Sequence, residues 1–261
     1  MKTMIITGGS SGIGKATAEL FATNGYKVYE LSRRAPSEVY EGIIHMTCDV
    51  TDAEACKKAV EQVIAAEGKM DVLISNAGMG ISGAVEFTTT NDMRRQMDVN
   101  FFGAVNITQA VLPYMRQQQY GTIIFVSSVM AAYGLPFQAF YSASKFAVNG
   151  FAQALTNEVR PFNIKVAVLM PGDVKTGFTD ARKKELEGTK EYPHMTKAVE
   201  TMEHDEQHGI APERMAKKLL QLANSSNPEP TSTVGMMYKA FLLLGRVFPQ
   251  RLINYVIGKM Y

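Results

Sequence analysis

The sequence predicts an α/β fold in which a doubly wound parallel sheet is covered by helices on both faces, giving three layers. Short strands that are apolar throughout alternate with helical segments over the first two thirds of the chain. That pattern is typical of strands buried on both faces. Clusters of polar residues and glycine follow directly after these strands. Because ligands of such sheets bind at the carboxyl ends of the strands, we expect one binding crevice there.

The first predicted unit is a strand, a glycine turn, a helix and a second strand. Residues 4–7 form an apolar run, residues 15–22 have helix-forming composition with an apolar face, and residues 26–32 form the second strand. Together they have the length of one βαβ unit. Glycines in the turn at 8–14 would let backbone amides approach a diphosphate, so the turn predicts nucleotide binding. A purely structural turn is the alternative.

The alternation continues through four more predicted strands. They are residues 43–48, 72–75, 123–126 and 165–170, with helices at 53–67, 91–118 and 141–159. Polar or turn residues follow these strands: Asp49, Asn76 to Gly78, Ser127, Ser128 and residues 171–176. The coincidence is stronger evidence for a common site than any single motif.

The last third of the chain is less regular. Residues 178–208 are polar and interrupted by Gly188 and Pro193, which predicts a substrate lid, with a plain surface excursion as the alternative. A short helix is predicted at 211–223, followed by a turn-rich linker. We therefore expect one domain, 1–261, with a core at 1–180, a lid at 181–209 and helices and a tail at 210–261.

Composition narrows the class of protein. The hydrophobic content of 46% and charged content of 20% in 261 residues suit a globular protein with a sizeable core. A net charge of +2 gives no case for a nucleic-acid partner. Four scattered histidines and two cysteines lack metal-ligand spacing, so no metal site is predicted. Few cysteines, no secretory pattern and no long apolar run make the cytoplasm the expected location.

Tyr141 and Lys145 are the candidate acid/base pair. They stand four residues apart in a predicted helix, so the phenol and the ammonium share one face. A tyrosine titrates near ~10, and a neighbouring cation favours the phenolate, so the pair could exchange a proton near neutral pH. The spacing alone is weak evidence, because Tyr255 and Lys259 repeat it.

Six motifs that include this pair occur in order along the chain. They are Thr7-Gly-Gly-Ser-Ser-Gly12-Ile-Gly14, Asn76-Ala-Gly78, Asn100, Ser128, Tyr141-x-x-x-Lys145 and Pro171-Gly172. Over roughly residues 1–180 they resemble the signature set of the classical short-chain dehydrogenases/reductases. The resemblance implies a Rossmann-type fold and an NAD(P)-dependent enzyme acting on CH–OH groups.

The resemblance also implies catalytic roles. Tyr141 would protonate the substrate carbonyl oxygen, and Lys145 would lower the tyrosine pKa and bond the nicotinamide ribose. Ser128 would hydrogen-bond the same oxygen, and Asn100 would hold the water of a proton relay. Two hydroxyl donors at an oxygen that gains alkoxide charge stabilise the transition state more than the substrate.

The implied cofactor-binding residues lie in the same clusters. They are Thr7, Gly8, Ser10, Ser11, Gly12, Ile13, Gly14, Ser32, Arg33, Arg34, Asp49, Val50, Asn76, Ala77, Gly78, Tyr141, Lys145, Pro171, Gly172, Val174 and Thr176. In this arrangement Asp49 and Val50 flank the adenine, and Val174 and Thr176 touch the nicotinamide amide.

Charge at the end of the second strand predicts which cofactor is preferred. An acid there would accept the ribose 2′-hydroxyl bond of NAD. This chain has Ser32 followed by Arg33 and Arg34, and arginine suits a 2′-phosphate. Ser11 could add a hydroxyl donor, and Glu30 is the nearest acid. We therefore predict NADP(H), with NAD(H) as the alternative.

The substrate is predicted to be a small lipophilic carbonyl compound or alcohol. The segment from Ser128 through Phe146 is similar to the hydroxysteroid and retinol dehydrogenase branch, which implies a steroid-like, retinoid-like or long-chain keto lipid. Candidate pocket residues are Met79, Met130, Tyr133, Phe137 and Phe178, with core or interface packing as the alternative. The alternative function is a non-catalytic dinucleotide-binding sensor or scaffold.

Two kinds of association are expected. The resemblance implies a homodimer or homotetramer. The tail, residues 236–261, is apolar and carries four basic and no acidic residues, which suits peripheral membrane contact. Gly245, Pro249 and Gly258 should break an amphipathic helix there, so packing on the core or on a neighbouring subunit is favoured.

Overall fold

The computed structural model describes residues 1–36 and 40–261, and its centre is a seven-stranded parallel sheet. The described residues contain nine strands in two sheets. They are β1 Lys2–Thr7, β2 Tyr26–Ser32, β3 Ile43–Thr47, β4 Val72–Ser75, β5 Ile81–Ser82, β6 Gly121–Val126, β7 Ile164–Leu169, β8 Lys183–Lys184 and β9 Thr231–Ser232. The main sheet has the order β3-β2-β1-β4-β6-β7-β9, and β5 pairs with β8 in a separate two-stranded sheet. The order reverses between β1 and β4, so the crevice for a ligand opens there.

Ten α-helices are present in the described part of the chain. They are α1 Gly12–Thr23, α2 Ala53–Glu67, α3 Thr90–Met97, α4 Gly103–Gln118, α5 Ala139–Val159, α6 Phe178–Ala181, α7 Met195–Gln207, α8 Pro212–Asn224, α9 Met236–Val247 and α10 Gln250–Met260. Short 3₁₀ turns occur at Val85–Phe87, Val129–Ala131 and Arg160–Phe162. None of the helices in the described ranges is long and apolar enough to cross a membrane.

The apolar strands are buried because alternate side chains enter opposite helical layers. On β1, Ile5 packs into the layer formed by α2, α4 and α5, whereas Met4 and Ile6 pack against α1 and α8. All three are fully buried, and each such side chain stabilises the fold by about 1.5–3 kcal/mol. The predicted three-layer doubly wound sheet is confirmed.

One predicted helix has an irregularity at a candidate site residue. The helix predicted at 91–118 consists of α3 and α4, joined by a wider π-helical segment at Asp98–Phe102. Asn100 lies in that segment and is buried. Such wide turns often mark functional positions because they change the direction of a side chain within a helix.

The last third is tied to the core more closely than a free lid would be. Within this region, the guanidinium of Arg182 at the end of α6 pairs with Glu206 on α7. β8 pairs with β5, and the ammonium of Lys183 lies 2.5 Å from a carboxylate oxygen of Asp92 on α3. The two predicted glycine breaks in the tail are wrong, because α9 continues through Gly245 and α10 through Gly258. Pro249 does separate the two helices, as expected from its missing N–H.

Candidate active site

The glycine turn leads from β1 into α1 along a path that requires glycine. Gly8 and Gly12 have φ values of +67° and +52°, in the left-handed region. A side chain at Gly14 would collide with the carbonyl oxygen of Gly8. The hydroxyl of Ser11 precedes α1 without capping it. The turn therefore presents backbone N–H groups and the positive end of the helix to the crevice, which suits a phosphate.

The turn is held by hydrogen bonds from the end of β4. The side-chain amide of Asn76 donates to the carbonyl oxygens of Thr7 and Gly8, at 3.1 and 3.0 Å. The hydroxyl of Thr7 accepts from the backbone N–H groups of Asn76 and Ala77, both at 3.0 Å. Thr7 and Asn76 thus fix the relative positions of the first two ligand-facing loops.

The end of β2 presents two arginines. The hydroxyl of Ser32 donates to the carbonyl oxygen of Arg34 at 2.7 Å, and Arg33 and Arg34 are both exposed. Burial acts to raise the pKa of Asp49, but hydrogen bonds from Thr51 and the charges of Arg33 and Arg95 outweigh it and lower that pKa. This end of the crevice therefore contains a clustered positive charge around one carboxylate.

Glu30, the acid nearest to that point, is directed away from it. Its carboxylate lies 2.6 Å from Nδ1 of His45, and the residue is 1% exposed. Its side chain lies directly against Gly9, where a Cβ would collide with it. Glu30 is therefore engaged beneath the glycine turn.

Ser128, Tyr141 and Lys145 come together where β6 ends and α5 begins. Ser128 and Tyr141 both line the crevice, and the Ser128 hydroxyl is close enough to the Tyr141 phenol to lower its pKa. The Ser128 hydroxyl also accepts the backbone N–H of Met130 at 3.1 Å. Nζ of Lys145 lies 5.7 Å from the centroid of the Tyr141 ring and donates to the carbonyl oxygen of Val126 at 3.0 Å. The helical spacing read from the sequence thus produces the expected juxtaposition.

Asn100 stands behind this group. Its side-chain oxygen accepts the backbone N–H of Met79 at 2.8 Å, and its amide donates to the Met79 carbonyl and to the Ser144 hydroxyl, both at 3.0 Å. A Cβ placed on Gly78 would lie 3.4 Å from Oδ1 of Asn100 and 3.7 Å from Nζ of Lys145. The Asn100 side chain therefore joins the loop after β4 to α5, close to the lysine.

The titration behaviour of the pair differs from the sequence-based expectation. Burial and, to a smaller extent, the charge of Glu206 raise the pKa of Tyr141 to about 12, against smaller lowering effects of Arg182 and the Ser128 hydroxyl. Burial lowers the pKa of Lys145 to about 8. The expectation that Lys145 lowers the tyrosine pKa is therefore not met by the chain alone, because loss of water around the phenol and the charge of Glu206 outweigh the effects that lower this pKa.

A single crevice of about 520 Å³ joins the glycine turn to Tyr141. Its wall contains nearly all the predicted cofactor and catalytic residues. Those of its lining that were predicted are Gly8, Ser10, Ser11, Gly12, Ile13, Ser32, Arg33, Arg34, Asp49, Val50, Asn76, Ala77, Gly78, Ser128, Tyr141, Lys145, Pro171, Gly172, Val174 and Thr176. Thr7, Gly14 and Asn100 lie outside that lining. Thr7 and Asn100 are hydrogen-bonded to lining residues, Thr7 to Asn76 and Asn100 to Met79.

The predicted substrate residues divide into two groups. Met79, Met130 and Phe178 line the crevice, and the ring of Phe178 lies 5.9 Å from that of Tyr141. Tyr133 instead packs against the tail, where its hydroxyl donates to the carbonyl of Phe241 at 2.8 Å. Phe137 packs with Tyr192 in a cluster around α7.

Two carboxylates at the substrate end were missed from the sequence. Asp173 and Glu206 both line the crevice. Asp173 accepts the hydroxyl of Tyr238 on α9 at 2.5 Å, and burial raises its pKa. Glu206 accepts the hydroxyl of Thr179 at 2.7 Å and pairs with Arg182. Glu206 stands in an ordinary charged helix sequence, so only its position in the fold distinguishes it.

Comparison with known proteins decides the family. The chain matches the short chain dehydrogenase family over residues 2–187. It is a member of the classical short-chain dehydrogenases/reductases. This short-chain dehydrogenase/reductase is accordingly an NAD(P)-dependent oxidoreductase, and its resemblance to that family in the sequence motifs is confirmed.

Three relatives show the range of the similarity. The chain is 41% identical to a 3-ketodihydrosphingosine reductase of Bacteroides thetaiotaomicron, over 99% of this chain and 97% of that protein. It is 37% identical to human retinol dehydrogenase 8, over 68% of this chain and 60% of that protein. The solved structure of ElxO with NADP bound is 26% identical, with a TM-score of 0.77 over 92% of this chain and 99% of that one.

Proposed function

We propose that this enzyme uses NADP(H) to reduce the ketone of a long-chain amino ketone of the 3-ketodihydrosphingosine type, with Tyr141 as general acid. The observation that carries the proposal is the pairing of two ends in one crevice. One end contains the Ser128 and Tyr141 hydroxyls beside the glycine turn, and the other contains apolar side chains with the carboxylates of Glu206, which is buried, and Asp173, which is partly buried. The reductase of Bacteroides thetaiotaomicron supports the substrate class, since it matches this chain along its whole length.

The residues present fit a nicotinamide dinucleotide. The glycine turn offers N–H groups at the start of α1 for the diphosphate, and the close contact at Gly14 leaves no side chain in the way. Asp49 and Val50 would bind the adenine end, and Val174 and Thr176 would orient the nicotinamide. When bound, the nicotinamide supplies the hydride that the carbonyl carbon receives.

Tyr141 and Ser128 would act on the carbonyl oxygen. With its pKa raised to about 12, Tyr141 is fully protonated at neutral pH and can donate its proton to an oxygen that gains negative charge. The Ser128 hydroxyl, which lies beside the Tyr141 phenol in the crevice, would hold the same oxygen. Lys145, with a pKa of about 8, is mostly charged at pH 7 and would stabilise the phenolate left behind.

The preference for NADP(H) rests on the two arginines after β2. Arg33 and Arg34 are exposed at the crevice wall, whereas Glu30 is engaged by His45 and cannot meet the ribose. A 2′-phosphate would gain charge-assisted hydrogen bonds there. We expect a lower dissociation constant for NADPH than for NADH.

A pair of variants tests this preference. Arg33→Ala should weaken NADPH binding by about 10–100-fold, the loss of one charged hydrogen bond, and leave NADH binding nearly unchanged. Arg94→Ala is the matched control, since Arg94 is exposed and lies outside the crevice lining. Equal or tighter binding of NADH by the unaltered enzyme would contradict the preference.

The two carboxylates support an amino ketone in particular. Glu206 pairs with Arg182, whereas Asp173 has no ion pair among the described residues, so the carboxylate of Asp173 could accept a further positive charge from the substrate. An ammonium group beside the ketone would supply it and would restore the pKa of Asp173 toward its usual value. Met79, Met130 and Phe178 would contact the alkyl chain.

The substrate test compares two ketones of equal chain length. We expect kcat/KM for 3-ketodihydrosphingosine to exceed that for a long-chain 3-ketone without the amino group by at least about tenfold. This factor corresponds to the contribution of one hydrogen bond to a charged group. Asp173→Asn should reduce that ratio, because it removes the charge and keeps an acceptor for Tyr238. Equal kcat/KM values in the unaltered enzyme would remove the amino group from the proposal and leave the reductase activity standing.

Two structural expectations remain proposals. We expect residues 181–209 to act as the substrate lid, in which opening must break the β5–β8 pairing and the ion pair between Lys183 and Asp92. We also expect a homodimer or homotetramer through α5 and the helix that contains Asn100, where Phe146 and Phe102 are exposed at 45% and 51%. Phe146→Glu should dissociate the oligomer in analytical ultracentrifugation.

A further inference from the structure

The largest group of exposed apolar side chains lies on the last two helices. Ten large hydrophobic residues there have more than a third of their surface exposed, and together they form what we call the tail surface. They are Met236, Met237, Leu243, Leu244, Val247, Phe248, Leu252, Tyr255, Val256 and Met260. At helical spacing the exposed residues of each helix lie on one side, so α9 and α10 each carry an apolar stripe, with Phe248 between the two helices. Apolar patches of this kind mark sites of contact with a partner or a membrane.

The helices that carry the tail surface are anchored by their opposite faces. On α9, the Tyr238 hydroxyl bonds to Asp173, and the Phe241 carbonyl accepts from Tyr133. On α10, Ile253 and Ile257 are buried against Tyr133. The sequence-based preference for packing on the core therefore applies to the inner faces. The outer faces are presented to the surroundings by fixed helices.

The charge of the tail points to an anionic surface. Residues 236–261 contain Lys239, Arg246, Arg251 and Lys259 and no acidic residue, which is a charge of +4. Because the whole chain carries +2, residues 1–235 carry a net charge of −2. Lys239, Arg251 and Lys259 are exposed beside the apolar stripes. An anionic surface would attract the tail and repel the rest of the protein, so it would also orient the molecule.

A second copy of this chain fits the surface less well. In a two-fold interface the same patch faces itself, so the tail cations of one copy would meet those of the other. Like charges brought together in an interface oppose association. A bilayer with anionic headgroups accepts both the cations and the apolar side chains at once.

We propose that the tail surface docks on the face of an anionic lipid bilayer, with α9 and α10 lying in the interfacial region. The length of these helices suits lying on a membrane, and neither can span one. Tyr238, on the inner face of α9, contacts Gly172 and Asp173, which line the substrate end of the crevice. Docking would therefore bring that end of the crevice close to the lipid.

The test is flotation of the full-length protein with vesicles. We expect the protein to float with vesicles of phosphatidylcholine and phosphatidylglycerol at a 7:3 ratio, with at least about tenfold weaker binding to pure phosphatidylcholine. The double variant Leu243→Glu/Val247→Glu should lose flotation. Val85→Glu/Leu186→Glu is the matched control, because Val85 and Leu186 are 57% and 58% exposed outside the tail.

Each other outcome overturns the proposal. Absence of flotation with anionic vesicles does so, and so does equal flotation of the two double variants. Equal flotation with neutral and anionic vesicles would show that lipid charge does not matter, which contradicts an anionic bilayer as the partner. If the tail variant instead converts an oligomer to a monomer in ultracentrifugation and no flotation is seen, the tail surface is an interface between copies. Unchanged thermal unfolding midpoints of both variants show that the fold is intact.

Discussion

The protein contains two Tyr-x-x-x-Lys pairs with nearly the same geometry. Nζ of Lys145 lies 5.7 Å from the centroid of the Tyr141 ring, and Nζ of Lys259 lies 5.9 Å from that of Tyr255. Both pairs lie on helices, α5 and α10. Their surroundings differ: Lys145 is 5% exposed and Tyr141 meets Ser128 in the crevice, whereas Tyr255 is 64% exposed on the tail surface.

The comparison separates geometry from chemistry. A spacing of four residues on a helix brings a phenol and an ammonium together wherever it occurs. The shifted titration of the first pair arises from burial, which raises the pKa of Tyr141 to about 12 and lowers that of Lys145 to about 8. Loss of water therefore gives the α5 pair its chemistry.

The largest expected effect is on catalysis. Tyr141→Phe removes the proton donor and should lower kcat/KM for ketone reduction by about 10²–10⁴-fold, the usual contribution of a general acid. Tyr255→Phe should leave kcat/KM unchanged, since its phenol lies outside the crevice lining. Unchanged turnover of every accepted ketone by Tyr141→Phe would favour a dinucleotide-binding sensor or a different proton donor.

The second effect is on stability and its dependence on pH. The unfolded chain keeps the Lys145 proton up to pH 10.5, whereas the folded protein releases it near pH 8. Stability therefore rises as pH increases between these values, by about 3 kcal/mol from this group, and is lowest below pH 8. Lys145→Met should lack this rise when the free energy of unfolding is measured in urea at pH 7 and pH 10.

Lys259→Met is the control for that measurement. Lys259 is exposed on α10, so this variant should retain the wild-type rise in stability between pH 7 and pH 10. If the free energy of unfolding changed equally with pH in the wild type and in Lys145→Met, the buried ammonium of Lys145 would not destabilise the fold. The raised pKa of Tyr141 makes the stability fall as pH increases above 10, so the measurements are compared only up to pH 10.

The smallest expected effect concerns the carboxylate at the substrate end. Burial raises the pKa of Asp173, and the hydrogen bond from Tyr238 lowers it. Tyr238→Phe should therefore move the acid limb of the kcat/KM profile for the amino ketone to higher pH. The profile of Tyr255→Phe should match the wild type. An unshifted limb in Tyr238→Phe would mean that Asp173 does not titrate in substrate binding.

The features predicted correctly from the sequence are those with local signals. Apolar strands, the glycine turn at 8–14 and the position of Ser128 thirteen residues before Tyr141 can be read along the chain, and they lie together in the crevice. Their arrangement follows from the parallel sheet, because every strand ends at the same edge.

The features that were missed depend on contacts distant in sequence. Glu206 meets Arg182 and Thr179 only after α6 and α7 pack, and Tyr238 reaches Asp173 from a helix more than sixty residues later. The direction of the Tyr141 pKa also depends on depth in the fold, which spacing does not encode. Gly245 was interpreted as a helix break because its packing against another segment cannot be read locally.

Gly245 has a consequence for redesign of the enzyme. It lies in α9 directly against the Tyr133 hydroxyl, where any Cβ would collide. The missing side chain therefore sets the distance between α9 and the body of the protein, and with it the position of Tyr238 beside Gly172. The extra methyl group of an alanine at this position would push α9 away from Tyr133. The shape of the crevice near Gly172 could then be changed from a residue that lies outside the crevice lining.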